Sequence, residues 1–153
     1  MMALTLKHPW PYAICFLGKR IENRTWRPRP SQLQPGSYLA IHGGVIPKGR
    51  ALTEASDDLQ RLKAQGLCPD HVTLEETIMP GIVAVCLFGD VVMSSPSPWF
   101  HGPFGWRLGH AFVLAEPVAH VGAQGLWRLQ PEMRVEVDAS YQQAKRRFVK
   151  SVG

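Results

Sequence analysis

The spacing of hydrophobic and polar positions changes several times along the chain, and each change marks an element. Ala3-Leu4-Thr5-Leu6 predicts a short strand. Pro9-Trp10-Pro11 then opens a helix, because a first-turn proline lacks only an N–H that has no helical partner anyway. That helix runs to Leu17, and Gly18 stops it. Arg20 to Trp26 predicts a strand, followed by turns at Arg27-Pro28-Arg29-Pro30-Ser31 and Gln34-Pro35-Gly36. Tyr38-Leu39-Ala40-Ile41-His42 has the make-up of a buried strand. From Ala51 to Gln65 the period is helical, with Leu52, Ala55, Leu59 and Leu62 on one stripe; Gly66 and Pro69 close it. Ile82 to Met93 is the strongest strand, and Gly89 inside it predicts a bulge or bend. Trp106 to Ala115 predicts one further strand and Gly125 to Leu129 a short one. From Pro131 to about Lys150 the pattern is helical again, with Met133, Val137, Tyr141, Ala144 and Phe148 in phase. Its acids lie early and its bases late, an order that complements the helix dipole.

Composition narrows the class. A chain of 153 residues holds one core comfortably and two poorly, so a single domain over 1–153 is expected. Fourteen glycines and thirteen prolines suit short strands and tight turns better than a helix bundle, which favours a β-rich or α+β fold. Seventeen Lys and Arg against twelve Asp and Glu leave +5, a balance compatible with a polyanionic partner. Cys15, Cys68 and Cys86 are odd in number and far apart, which argues against a disulfide framework and for a reducing compartment. No secretory pattern opens the chain and no apolar run reaches membrane-spanning length. The expectation is a soluble, cytoplasmic protein with no membrane partner.

The densest chemistry lies in Gly18-Lys19-Arg20-Ile21-Glu22-Asn23-Arg24. Strand alternation places Arg20, Glu22, Arg24 and Trp26 on one side, and Ile21, Asn23 and Thr25 on the other. A carboxylate between two guanidinium groups fixes them by charge-assisted hydrogen bonds. Lys19, at the helix-to-strand turn, can reach the same space. Trp10, Trp26, Trp99 and Trp106 offer flat faces on which a base stacks, with Trp99 expected to be exposed in its Pro/Ser loop. Glu22 reads equally as a structural brace for Arg24 or as a working carboxylate. His42 reads as a strand-end residue or as a cleft histidine, and Trp127 as core.

Pro9-Trp10, a short helix, Gly18-Lys19-x-x-Glu22-Asn23-Arg24-x-Trp26 and then Tyr38–His42 resemble the opening of an ASCH domain. Gly81-Ile82-Val83-Ala84-Val85, Trp106-x-Leu108 and Gly125-Leu126-Trp127-x-Leu129 are similar to that family's later strands, so the resemblance covers about residues 4–131. The resemblance implies an α+β fold: a small, mixed PUA-like β-barrel over about 3–130 flanked by two to three helices, the last over about 131–150. It implies a cleft between the first helix and the barrel that binds RNA or DNA. Arg20, Arg24, Arg27 and Arg29 would meet phosphates, with Trp26 and Trp99 stacking bases and Trp10, His42 and Trp106 completing the lining.

The family also implies an alternative, a small hydrolase. One branch comprises N4-acetylcytidine amidohydrolases, and ribonuclease activity is attributed to other members. The amidohydrolases use the motif lysine and a threonine three residues later; here that position is Glu22, and the nearest threonine is Thr25. If the chain is an enzyme, it is a metal-independent hydrolase in which Glu22 activates water and Lys19 stabilises the oxyanion. A third reading, a protein-interaction adaptor, follows only from the family's relation to transcriptional coactivators. No cofactor is expected. His101, His110 and His120 lack metal-ligand spacing, and Gly44-x-x-x-x-Gly49-Arg50-Ala51 lacks the lysine and hydroxyl of a phosphate-binding loop.

Overall fold

A computed structural model describes residues 1–152. The elements are β1 (Met2–Leu6), α1 (Trp10–Phe16), β2 (Ile21–Arg24), β3 (Tyr38–Gly43), α2 (Arg50–Ala64), β4 (Gly81–Val92), β5 (Phe104–Leu108), β6 (Phe112–Val118), β7 (Leu126–Arg128) and α3 (Pro131–Val152), with one 3₁₀ turn at Glu75–Thr77. The fold is α+β. Its strands run in the order β2-β5-β4-β3-β1-β7, with β6 paired to β4. Among the described residues no pairing joins β2 to β7, so the sheet has open edges rather than a closed circuit of hydrogen bonds.

The long β4 organises the sheet by changing partners midway. Residues 81–87 pair with β3, and residues 82–85 with β6, whereas 88–92 pair with β5. The register slips between Phe88 and Val91, around Gly89, as the glycine predicted. A Cβ at Gly89 would stand 3.1 Å from the Arg107 carbonyl oxygen, so the backbones meet there at glycine distance. The segment 106–115, expected to be one strand, is two. β5 ends at Leu108 and β6 begins at Phe112, because the two pair with different halves of β4.

Strand alternation sorts the core, interrupted in β4 at Val83–Ala84 where the register shifts. Leu4, Leu6, Leu39, Ile41, Val83 and Trp106 pack on one face. Ala3, Ala40, Ile82 and Val85 face the other way, under Val137 and Tyr141 of α3. A third cluster joins α1 to α2 through Ala13, Leu59, Leu62 and Trp99. Leu52, expected on the buried stripe of α2, is 39% exposed, because the face that meets this cluster begins at Ala55. At the end of β3, a Cβ on Gly43 would lie 1.8 Å from the Met79 carbonyl oxygen, so only glycine fits. His8 ties the same corner: its Nε2 lies 2.9 Å from the Gly44 carbonyl oxygen, and its Nδ1 accepts the Met79 N–H at 3.2 Å. Among the described residues no helix is long and apolar enough to cross a membrane.

Candidate functional site

The turn after α1 delivers the central side chain. Gly18 adopts φ +73°, a conformation that costs other residues strain. The reversal lets the Leu17 and Lys19 N–H groups both cap the Ala13 carbonyl, at 3.0 and 3.2 Å, and turns the Lys19 side chain inward. Lys19 is buried. Its ammonium donates to the Ile21 carbonyl at 2.5 Å and to Glu22 Oε1 at 3.0 Å, and lies 5.6 Å from the centre of the Trp10 ring. An ammonium has three protons, so one remains after these two partners. Arg24 meets the other carboxylate oxygen, with Nε 3.1 Å and Nη2 3.0 Å from Glu22 Oε2, and also donates to the Thr5 carbonyl at 3.3 Å. Glu22 is therefore clamped between two cations by both oxygens, and the triad links α1, β2 and β1.

The triad forms part of a cavity of about 1140 Å³. Trp10, Trp26 and Trp99 line it with Lys19, Glu22 and Arg24. The remaining walls come from distant segments: Lys7 and His8 after β1, Val45–Lys48 after β3, one face of α2 with Glu54 and Asp58, His101, and Ala123–Gly125 before β7. Burial raises the Asp58 carboxyl above its usual range, an effect that the Arg61 guanidinium partly offsets. Glu54 pairs with Arg50 at 3.2 Å.

Six of the sequence-predicted site residues thus share one cavity: Trp10, Lys19, Glu22, Arg24, Trp26 and Trp99. Trp99 corrects its expected exposure, being only 7% exposed and packed in the α1–α2 cluster while one part of it reaches the cavity. The other five lie elsewhere. Arg20 precedes β2 instead of continuing its alternation, and its Nη2 lies 3.2 Å from His110 Nδ1. Arg27 places its guanidinium 4.9 Å from the Phe104 ring centre, and Arg29 is exposed in the following turn. Trp106 is fully buried, edge-on to Trp26, and donates its indole N–H to the Trp26 carbonyl at 3.1 Å; it supports the wall rather than forming it.

His42 is a buried strand residue outside the cavity. Its Nε2 lies 2.7 Å from the His120 carbonyl, which can only accept, so Nε2 carries a proton. In the neutral ring Nδ1 then accepts from the Thr5 hydroxyl at 3.1 Å, and that hydroxyl accepts the Trp127 indole N–H at 2.9 Å. Burial lowers the His42 pKa, consistent with the neutral ring. Trp127, expected as core, is half-buried over this chain of bonds.

Asn23 is the residue that sequence reasoning undervalued. Its Nδ2 donates to the Trp99 carbonyl at 2.9 Å, and its Oδ1 accepts the His101 and Gly102 N–H groups at 2.8 and 3.1 Å. One side chain thereby fixes the loop that carries Trp99. The signal was an amide in a strand of charged residues, which alternation alone placed on the far side.

Among the described residues no cluster of three or more histidine, cysteine or acidic side chains is arranged to hold a metal ion. No protein-family model matches the chain, and no curated protein matches it.

Proposed function

We propose that the chain is an ASCH-type domain of the PUA-like class that binds nucleic acid by taking one unpaired base into the tryptophan-lined cavity. The observation that carries this reading is the meeting of three indoles with a clamped Lys19–Glu22–Arg24 triad in one concavity. Indole faces stack any base, whereas the spare Lys19 proton supplies a directional donor to its edge. The kinship is supported by the element order of the first half and by the approach of the two sheet edges. A Cβ at Gly125, before β7, would stand 3.8 Å from the Trp26 ring that follows β2.

Titration of intrinsic tryptophan fluorescence with nucleosides and with short single-stranded and duplex RNA and DNA tests it. Saturable quenching is expected with single strands, weaker with duplex, and with affinity falling linearly against log salt. Trp10→Leu removes a stacking face and should weaken binding about tenfold, within the roughly 1–3 kcal/mol of a base–aromatic stack. No quenching by any of these ligands at millimolar concentration would overturn the reading.

The 3.0 Å Lys19–Glu22 contact also favours a second reading, hydrolysis of a modified nucleoside or of RNA, with Glu22 taking a proton from water and Lys19 stabilising the oxyanion. Engagement of both Glu22 oxygens by cations suits a brace better than a base, so binding ranks first. Turnover of N4-acetylcytidine by the native chain, lost in a Glu22→Gln variant that circular dichroism shows to be folded at the assay temperature, would reverse that order.

A further inference from the structure

The mouth of the cavity carries features that base stacking leaves unused. Val45 and Ile46, between β3 and α2, are 87% and 60% exposed and line the cavity rim. Apolar side chains held in water at a concave rim gain free energy when covered. Lys48 follows on the same loop, and Lys7 stands on the rim after β1; both are exposed. Among the described residues neither lysine is in an ion pair. The cavity's other charges have partners: Lys19 and Arg24 share Glu22, Arg50 holds Glu54, and Arg61 holds Asp58. The unpaired charges at the mouth are therefore two lysines, which can hold a phosphodiester between them, its single negative charge offsetting one of the two. Val45, Ile46 and Lys48 share one loop, so a strand held by these lysines leaves over it. The volume of about 1140 Å³ agrees. It exceeds the range of roughly 300–1,000 Å³ usual for a single small ligand.

Resting on the base-binding reading, we infer that this rim is a second subsite, where Lys7 and Lys48 flank the phosphodiester next to the buried base and the neighbouring nucleoside covers Val45 and Ile46. The ligand is then a single strand of at least two nucleotides rather than a free nucleoside. Fluorescence titrations with a nucleoside and with the corresponding dinucleotide test this, on the native chain, on Lys7→Gln/Lys48→Gln and on Val45→Ser/Ile46→Ser. All four side chains are exposed, so the variants should fold. In the native chain the dinucleotide should bind about tenfold more tightly than the nucleoside, a difference of about 1.4 kcal/mol. That ratio should fall below about threefold in either double variant. The salt slope for the dinucleotide should flatten by roughly 0.7 in the lysine variant, as for one lost phosphate contact on a single strand. Equal binding of the two ligands to the native chain, or an unchanged ratio in both variants, overturns the subsite while leaving the base-binding reading intact. Binding of neither ligand overturns both.

Discussion

Replacing Glu22 by glutamine is the most informative single perturbation of the triad. The carboxylate accepts from Lys19 at 3.0 Å and from Arg24 Nε at 3.1 Å, with Arg24 Nη2 in ion-pair contact at 3.0 Å. Glutamine keeps the shape and one accepting oxygen, but strands both cations without a counter-charge. The two differ in their access to water: the Lys19 side chain is 3% exposed and cannot rehydrate, whereas that of Arg24 is 22% exposed and recovers part of its hydration. Removing one partner of a buried pair costs about 3–5 kcal/mol, so Glu22→Gln should cost about 4 kcal/mol. For a chain of this size each kcal/mol moves Tm by about 2–4 °C, so a fall of about 8–16 °C follows. Lys19→Met is milder, because Glu22 keeps Arg24 and the methionine packs beside Trp10; the loss is that of a charge-assisted hydrogen bond, about 1.5–3 kcal/mol. The double variant carries the sharpest sign. Removing the stranded lysine relieves the glutamine variant, so Lys19→Met/Glu22→Gln should melt above Glu22→Gln alone. Thermal and urea unfolding of the four chains measures this cycle. A double variant less stable than either single one, or a cost below about 1 kcal/mol for Glu22→Gln, would refute the picture of a desolvated clamp.

Three further outcomes follow from the geometry. Asn23→Asp keeps the acceptor for His101 and Gly102 but loses the donor to the Trp99 carbonyl; it should cost about 1–3 kcal/mol and speed proteolysis within 94–103, read by limited digestion. Burial lowers the His42 pKa, so between its folded value and its unfolded value near 6.5 the unfolded chain binds more protons. Stability should therefore be full above about pH 6.5 and fall as the solution is acidified, with a shallower slope in His42→Asn when urea midpoints are compared at pH 7.5 and 5.5. Burial pushes the Cys15 and Cys86 thiols up to about 12, so at pH 8 both should resist an aromatic disulfide reagent in the native chain and react at once in denaturant.

Much of the site was legible because it is local. Lys19, Glu22, Arg24 and Trp26 fall within one turn, one strand and the bend after it, and Trp10 lies one short helix earlier, so nearness in sequence and the glycine stop suffice to bring them together. Arg20 escaped the same logic because the strand begins one residue after it, and alternation has no force in a turn. What sequence could not supply was the far wall. Lys48 and Asp58 line the same cavity as the triad because β1 pairs in parallel with β3, which brings the loop and helix after β3 alongside, a long-range choice that no local pattern encodes. The break between β5 and β6 falls at Gly109-His110, a weak turn signal inside strand-like flanks, and it became decisive only because the two flanks pair with different parts of β4. The buried states of Trp99 and Trp106 likewise depend on what the third dimension stacks against them.

The cavity has two kinds of wall, and they answer differently to change. Lys19, Glu22 and Trp99 are buried and hold the fold as well as facing the ligand space, so drift at these positions is paid in stability. Val45, Ile46, Lys48, Ala51, Glu54 and Gln124 face the same space from the solvent side and anchor little else. Descendants of this sequence are thus free to alter what the cavity admits by rewriting the rim, while the floor is inherited nearly unchanged.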